Sequence, residues 1–158
     1  MMTSVRDRLE ALLPRLEESR AKKAFTKVYA EEARNAEKLD ARLKLELHWL
    51  ERGVTASVPG TSVNGGGSPR VPNTTNISFE RVEAESLLIA LDLAGIAVST
   101  GSACSSGTLE PSHVLKAMGF PAHRTQNSIR FSLGQGNTEA DVDRVVSVIP
   151  GIVEKLRS

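Results

Sequence analysis

The segment from Ser99 to Pro111 constrains the fold most, because it cannot contribute to a hydrophobic core. Ten of its thirteen residues are Ser, Thr, Gly, Ala or Pro. This composition predicts a solvated, mobile loop that the elements on either side must anchor. The loop carries the single cysteine of the chain, Cys104. A lone cysteine is usually a small buried hydrophobe, whereas a thiol in a loop of this kind is presented to solvent.

The segments that flank the loop have the patterns of anchoring elements. Residues 84–94 place leucines on one face of a helix that Gly95 closes, and residues 96–98 predict a short strand leading into the loop. After the loop, Pro111 suits the first position of a short helix that Gly119 ends. The sequence therefore predicts two helices that hold the cysteine loop between them.

The rest of the chain predicts an α+β fold. Residues 75–79 and 128–133 alternate apolar and polar side chains, as in strands with one buried face, and 61–64 predict a third short strand. A long helix is predicted from 24 to about 52, where Gly53 stops it, and the final helix starts at Thr138. We expect a small, mostly antiparallel sheet of three to four short strands packed against helices and preceded by one or two N-terminal helices.

Charge and composition exclude several kinds of partner. The 20 basic and 19 acidic residues are mixed along the sequence, which predicts neither a nucleic-acid surface nor an acidic tail. No apolar stretch approaches the roughly 18 residues of a membrane helix, and the charged N-terminus is unlike a signal sequence. A single cysteine cannot form an internal disulfide, which fits a reducing compartment. These features predict a cytoplasmic location, without membrane or nucleic acid partners.

Three motifs carry a resemblance to a known family. The run from Gly101 to Leu115 (GSACSSGTLEPSHVL) resembles the cysteine loop of the cysteine desulfurases, which are pyridoxal-phosphate enzymes of the class V aminotransferase fold. Residues 72–79 and 127–134 match two further segments, in the family's order. The resemblance is close from about 70 to 158, weaker from 24 to 69 and absent from 1 to 23. It implies that 24–158 form the family's C-terminal small domain, after an extra N-terminal helix in 1–23 without assignment.

The resemblance also implies roles for two residues. Cys104 is the catalytic cysteine that takes sulfur from L-cysteine as a persulfide, with L-alanine as co-product. It passes the sulfur to an acceptor protein such as an iron–sulfur cluster scaffold, or to a thiolation enzyme. Arg130 lies between two serines on the polar face of its predicted strand. On pattern alone this fits a solvated or structurally paired arginine as well as a functional one. In the family this arginine grips the substrate carboxylate, which a guanidinium binds bidentately.

One part of the family pattern is missing. The larger cofactor lobe carries a Ser-x-His-Lys segment whose lysine holds pyridoxal phosphate, and here no lysine follows a histidine. Lys116 comes three residues after His113 and is interpreted as a solvated helix residue. We therefore assign no cofactor-binding residue, and we expect neither stable cofactor binding nor turnover by this chain alone. A separate pyridoxal-phosphate lobe or a homodimer partner would complete the enzyme.

Alternatives from other classes stay open. The chain could be a stand-alone sulfur carrier or protein-interaction module, or an inactive truncated or constructed piece. The three histidines, His48, His113 and His123, lack the spacing of a metal site, so no metal is assigned. Small departures from the family occur at Arg81 and Ala84, where small or glycine residues are usual, and at Gln135, where a basic residue is common.

Overall fold

The structure is a computed structural model that describes residues 19–100 and 112–158. Five helices and three strands follow one another along these residues. They are α1 (Ser19–Ser57), β1 (Thr61–Val63), β2 (Thr74–Phe79), α2 (Ala84–Leu93), α3 (His113–Ala117), α4 (Ala122–Gln126), β3 (Ser128–Ser132) and α5 (Glu139–Arg157). The predicted α+β class is confirmed. The chain divides into two compact units, Met1–Arg42 and Leu43–Ser158. The second holds the end of α1, the sheet and all later elements.

The three strands form one antiparallel sheet in the order β1-β2-β3. Val63 lies opposite Ile77 in the first pair, and Ile77 lies opposite Ile129 in the second. Because opposite residues share a face, the apolar side chains of the three strands line up on one side of the sheet. Asn76 and Arg130 lie opposite each other on the other side.

The core lies against the apolar face of the sheet. Ile77, Phe79 and Ile129 are fully buried there. Helices contribute the remaining large side chains, among them Leu50, Val54, Leu87, Leu91, Val142, Ile149 and Val153. The apolar positions of α1, α2 and α5 recur at helical spacing, so each helix presents one buried stripe.

The predicted end of the long helix at Gly53 is wrong, since α1 continues to Ser57. Gly53 is placed against α5 instead. A Cβ atom at this position would lie 2.6 Å from Cγ2 and 2.7 Å from Cγ1 of Val146. This glycine therefore permits the close approach of α1 and α5, a role that helix-stop rules do not recognise.

The predicted strand at 96–98 is also wrong. Only Ser99 forms a bridge to the sheet, at Arg130. Ala97 and Ser132 line a cavity of about 290 Å³ and make no backbone hydrogen bond to each other. The bridge at Ser99 is therefore isolated and does not continue as a ladder through 96–98.

Several helix ends match their sequence signals. Gly95 and Gly119 adopt positive φ of 76° and 81° after α2 and α3. Thr138 caps α5, accepting from the Asp141 amide while the Asp141 carboxylate accepts from the Thr138 amide at 2.8 Å.

The helix α3 begins at His113, with Ser112 as its N-cap. Pro111, which is predicted as the first helical residue, lies outside the described residues. One prediction after the cysteine loop is wrong. His123 was predicted in a loop and lies in α4. Arg81, where the family usually has a small residue or glycine, takes a positive φ of 59°. The interpretation of 1–23 as an extra helix concerns residues that lie mostly outside the described part of the chain.

Candidate functional site

Arg130 occupies a central position on the polar face of the sheet. Asn76 lies directly opposite it on β2. On its other side, the Ser99 amide donates to the Arg130 carbonyl at 3.1 Å and the Arg130 amide donates to the Ser99 carbonyl at 2.6 Å. Ser99 is the start of the predicted cysteine loop, so the structure joins the entrance of that loop to the arginine. Cys104 itself lies outside the described residues.

A cavity of about 370 Å³ opens above this face, and we call it the Arg130 cavity. Its floor is polar, with Asn76 and Arg130, and its walls come from the segment before β2 and from α3. The lining residues are Asn64, Gly65, Ser68, Pro69, Arg70, Val71, Thr74, Thr75, Asn76, Ser112, Val114, Leu115, Met118 and Arg130. Arg130 is exposed, and no described residue forms an ion pair or side-chain hydrogen bond with its guanidinium. A guanidinium in this position has the charge and donors to bind an anionic group.

A network of amides supports the floor of the cavity. Asn64 Nδ2 donates to Asn76 Oδ1 at 2.6 Å and to Ser128 Oγ at 3.1 Å. Arg124 Nε donates to Asn64 Oδ1 at 2.8 Å. Asn64 is 5% exposed, and its backbone amide donates to the Asn76 carbonyl at 2.8 Å. With both amide atoms in use, the Asn64 side chain is locked in one orientation.

Arg124 is held from a second direction. Its guanidinium carbon lies 4.3 Å from the centre of the Phe120 ring, a cation–π contact. Ser128 Oγ donates to the Arg124 carbonyl at 2.6 Å. The α4 backbone and its aromatic neighbour therefore fix the arginine that orients Asn64.

An ion pair secures the wall of the cavity. Arg70 Nη1 and Nη2 donate to the two carboxylate oxygens of Glu51 at 2.6 and 3.2 Å. Arg70 Nη1 also lies 3.3 Å from Thr75 Oγ1. Burial acts to raise the pKa of Glu51, but the hydrogen bonds from Arg70 and Thr75 and the positive charge of Arg70 outweigh it and lower that pKa. The bidentate geometry ties the segment before β2 to α1.

The side chains that the structure describes do not fit a pyridoxal-phosphate site. The lysine side chains that the structure describes, Lys38, Lys44, Lys116 and Lys155, are all exposed, and none lines the Arg130 cavity. The Lys116 interpretation as a solvated helix residue agrees with its exposure. No step of the chemistry is therefore assigned to a cofactor on this chain.

The histidines do not converge on a site. His48, His113 and His123 are exposed. Within residues 19–100 and 112–158, no group of three or more His, Cys, Asp or Glu side chains is placed to hold a metal ion. In the same part of the chain, no helix is both long and apolar enough to cross a membrane.

Sequence reasoning located Arg130 but missed the residues around it. Asn64 ends the short strand predicted at 61–64, Arg70 lies between the predicted strands, and Glu51 is one of many charged residues on a long helix. None of the three is predicted to belong to a site. Asn76 belongs to the 72–79 motif, where the alternation of side chains predicts only that it lies on the polar face. The signal that could have found Asn76 is the alternation of polar residues along β2 and β3. If the two strands pair in this register, Asn76 and Arg130 lie opposite each other on the polar face.

Comparison with known proteins places the chain in a family. The sequence matches Aminotransferase class-V over residues 24–145. Because this match spans most of the chain, the protein belongs to the class V aminotransferase family.

The relatives that it resembles are cysteine desulfurases. A cysteine desulfurase of Trichormus azollae is 53% identical over 109 residues, covering 69% of this chain and 27% of the relative. The cysteine desulfurase NifS of Azotobacter vinelandii is 49% identical over 109 residues, again covering 69% of this chain and 27% of the relative. The X-ray structure of a NifS-like protein from Rickettsia africae superimposes with a TM-score of 0.67 at 28% identity, covering 85% of this chain and 34% of that one. The chain thus spans about a quarter of the length of these curated relatives.

Proposed function

We propose that this chain is the sulfur-receiving small domain of a cysteine desulfurase. In this proposal Arg130 binds the carboxylate of L-cysteine and Cys104 receives the sulfur as a persulfide. One observation carries the proposal: Arg130 lines the cavity with no described residue neutralising its guanidinium, and its backbone is bridged to Ser99, where the predicted loop that bears Cys104 begins. The similarity to cysteine desulfurases supports it independently.

The chemistry that these two residues perform is a sulfur transfer. The Cys104 thiolate bonds to the sulfur of L-cysteine, and the bond from that sulfur to the substrate's β-carbon breaks with its electrons left on carbon. Protonation of the carbon gives L-alanine, and Cys104 retains the second sulfur. Arg130 contributes by fixing the carboxylate so that the substrate sulfur faces the loop.

The complete reaction requires chemistry from outside this chain. Cysteine desulfurases use pyridoxal phosphate, whose electron-withdrawing ring stabilises charge on the substrate carbon skeleton. We propose that a second lobe or a partner chain provides it, and that residues 24–158 form the matching small domain. The sulfur then passes to an acceptor protein for iron–sulfur cluster assembly or thiolation. We propose a cytoplasmic location, because a thiol used in this way needs a reducing compartment.

The experiment joins residues 24–158 to the cofactor lobe of the Azotobacter vinelandii relative. With L-cysteine, the chimaera is expected to release alanine and to gain one sulfur atom on Cys104, measured by mass spectrometry. Cys104→Ser should lose the added sulfur, and Arg130→Ala should raise the KM for L-cysteine by about tenfold or more. Arg52→Ala, at an exposed position on α1, is the matched control and should change neither. Sulfur retained in Cys104→Ser would contradict the proposal.

A sulfur carrier without catalysis is the second candidate. The absence of a fitting lysine among the described side chains favours it over an autonomous enzyme. The unfused chain, incubated with pyridoxal phosphate and L-cysteine, should release no alanine. If it nevertheless accepts sulfur from the persulfide of a complete desulfurase, the carrier function is supported.

A further inference from the structure

We infer that Asn76 is a second ligand-binding residue of the Arg130 cavity, donating a hydrogen bond from Nδ2 to the carboxylate that Arg130 binds. We further infer that Asn64 positions it. This inference rests on the proposed function, since it takes the ligand to be a carboxylate. It extends that function to two side chains that the sulfur-transfer scheme does not use.

The sheet register places the two donors side by side. Arg130 directs its backbone amide and carbonyl to Ser99, while the Asn76 carbonyl accepts from Asn64. The Asn76 and Arg130 pair is therefore a non-hydrogen-bonded pair, in which the Cα atoms are about 4.5 Å apart and the side chains are closest. Both side chains line the cavity.

The orientation of the Asn76 amide follows from a chain of donors and acceptors. Arginine can only donate, so the Asn64 atom that meets Arg124 Nε must be its oxygen. Asn64 therefore turns its NH₂ group toward Asn76, and the Asn76 atom 2.6 Å away must be an acceptor, Oδ1. Asn76 Nδ2 is then directed away from Asn64.

A second bond enforces the same orientation. Ser128 Oγ uses its hydrogen on the Arg124 carbonyl at 2.6 Å, so toward Asn64 it acts as an acceptor. Only the NH₂ group of Asn64 can meet both Ser128 Oγ and Asn76 Oδ1. Arg124, Ser128 and Asn64 together fix which end of the Asn76 amide remains for a ligand.

The chemistry that this arrangement recognises is an anionic carboxylate. A guanidinium and an adjacent amide NH₂ present only donors, so a carboxylate with two acceptor oxygens satisfies both. A reversed Asn76 would place its oxygen beside the ligand oxygens and repel them. The hydrogen bonds from Arg124 through Asn64 thus orient the Asn76 amide so that its NH₂ group faces the ligand.

The test is a nuclear magnetic resonance titration of the ¹⁵N-labelled 158-residue chain. L-alanine supplies the carboxylate, and L-alaninamide, which lacks it, is the control ligand. We expect the Asn76 side-chain NH₂ and the Arg130 Nε–H resonances to shift together with L-alanine, with one common Kd, and to stay in place with L-alaninamide.

Two variants test these hydrogen bonds. Asn76→Asp removes the Nδ2 donor. Asn64→Asp keeps an acceptor for Arg124, but its carboxylate attracts the Asn76 NH₂ group and so reverses the orientation of the Asn76 amide. Each should weaken L-alanine binding by about tenfold. Asn73→Asp makes the same chemical change at a residue outside the cavity, where Nδ2 donates to the Leu133 carbonyl at 3.0 Å. It should leave the affinity unchanged, and amide spectra check that each variant is folded.

The outcomes separate this inference from the proposed function. Shifts at Arg130 without shifts at Asn76 would overturn the role of Asn76 and leave Arg130 as the carboxylate ligand. The absence of shifts at both would overturn both statements. Unchanged affinity in a folded Asn64→Asp variant would overturn the positioning role of Asn64.

Discussion

The two faces of the sheet differ in the burial and polarity of their side chains. On the apolar face, Ile77, Phe79 and Ile129 are fully buried and contact helices. On the polar face, Asn76 is half-buried and Arg130 is exposed, with the Arg130 cavity above them. Because strand side chains alternate, the same two strands build both faces. Burial is concentrated on one face, and the proposed ligand site lies on the other.

The comparison explains where the charged and amide groups near the site lie. A guanidinium without an acidic partner is costly when buried, so it belongs on a face that is open to solvent or ligand. The charged and amide groups that do lie deeper, Glu51 and Asn64, have partners for their polar atoms. The polar face therefore remains ordered without depending on a ligand.

The largest expected effect is at the centre of the apolar face. Phe79→Ala should lower the free energy of unfolding by about 3–5 kcal/mol, because a fully buried ring is lost and a cavity remains. Urea unfolding followed by circular dichroism measures this. Leu93→Ala, at a helix position that is 85% exposed, should change it by less than about 0.5 kcal/mol. Similar losses in the two variants would contradict the assignment of the core.

The next effect concerns the ion pair behind the cavity wall and depends on pH. The folded-state pKa of Glu51 is lowered, so its contribution is present above the ordinary glutamate pKa of about 4.3 and is lost as pH falls through the lower folded value. At pH 7, Glu51→Gln should cost about 1–3 kcal/mol in urea unfolding. The difference from wild type should shrink below pH 4.

Glu154→Gln is the control for this prediction, because Glu154 is exposed on α5. Its free energy of unfolding should differ little from that of the wild type at pH 7 and at pH 4. A Glu51→Gln penalty that persists unchanged at low pH would show that the carboxylate charge is not what matters.

A smaller effect is expected where α1 meets α5, in the helical layer. Gly53→Ala should destabilise by about 1–2 kcal/mol, since the new methyl group would clash with Val146 and the gain in helix propensity of about 1 kcal/mol is smaller. In the double variant Gly53→Ala/Val146→Ala, thermal unfolding should show that the stability lost in Gly53→Ala is recovered. Gly151→Ala, with open space at its Cβ, should instead raise the melting temperature. Destabilisation that Val146→Ala does not relieve would rule out this contact.

Local patterns predicted the elements, and contacts between distant segments decided the rest. The alternation of β2 and β3, the cap at Thr138 and the turns at Gly95 and Gly119 depend on neighbouring residues, so they could be predicted. Gly53 was misinterpreted because its partner, Val146, is 93 residues away. The Asn64 network was missed for the same reason, since Asn64, just after β1, is bonded to residues of β2, β3 and α4. No local rule specifies the orientation of the side-chain amides involved.

The smallest expected effect on stability is at the residue with the largest proposed role in binding. Arg130→Ala should change the free energy of unfolding by less than about 0.5 kcal/mol, because the side chain is exposed and no described residue neutralises it. Its backbone bonds to Ser99 do not depend on the side chain. The same variant should abolish the L-alanine shift of the Asn76 NH₂ group. A loss of several kcal/mol on urea unfolding would mean that Arg130 is a structural residue, and the division of roles between the two faces would fail.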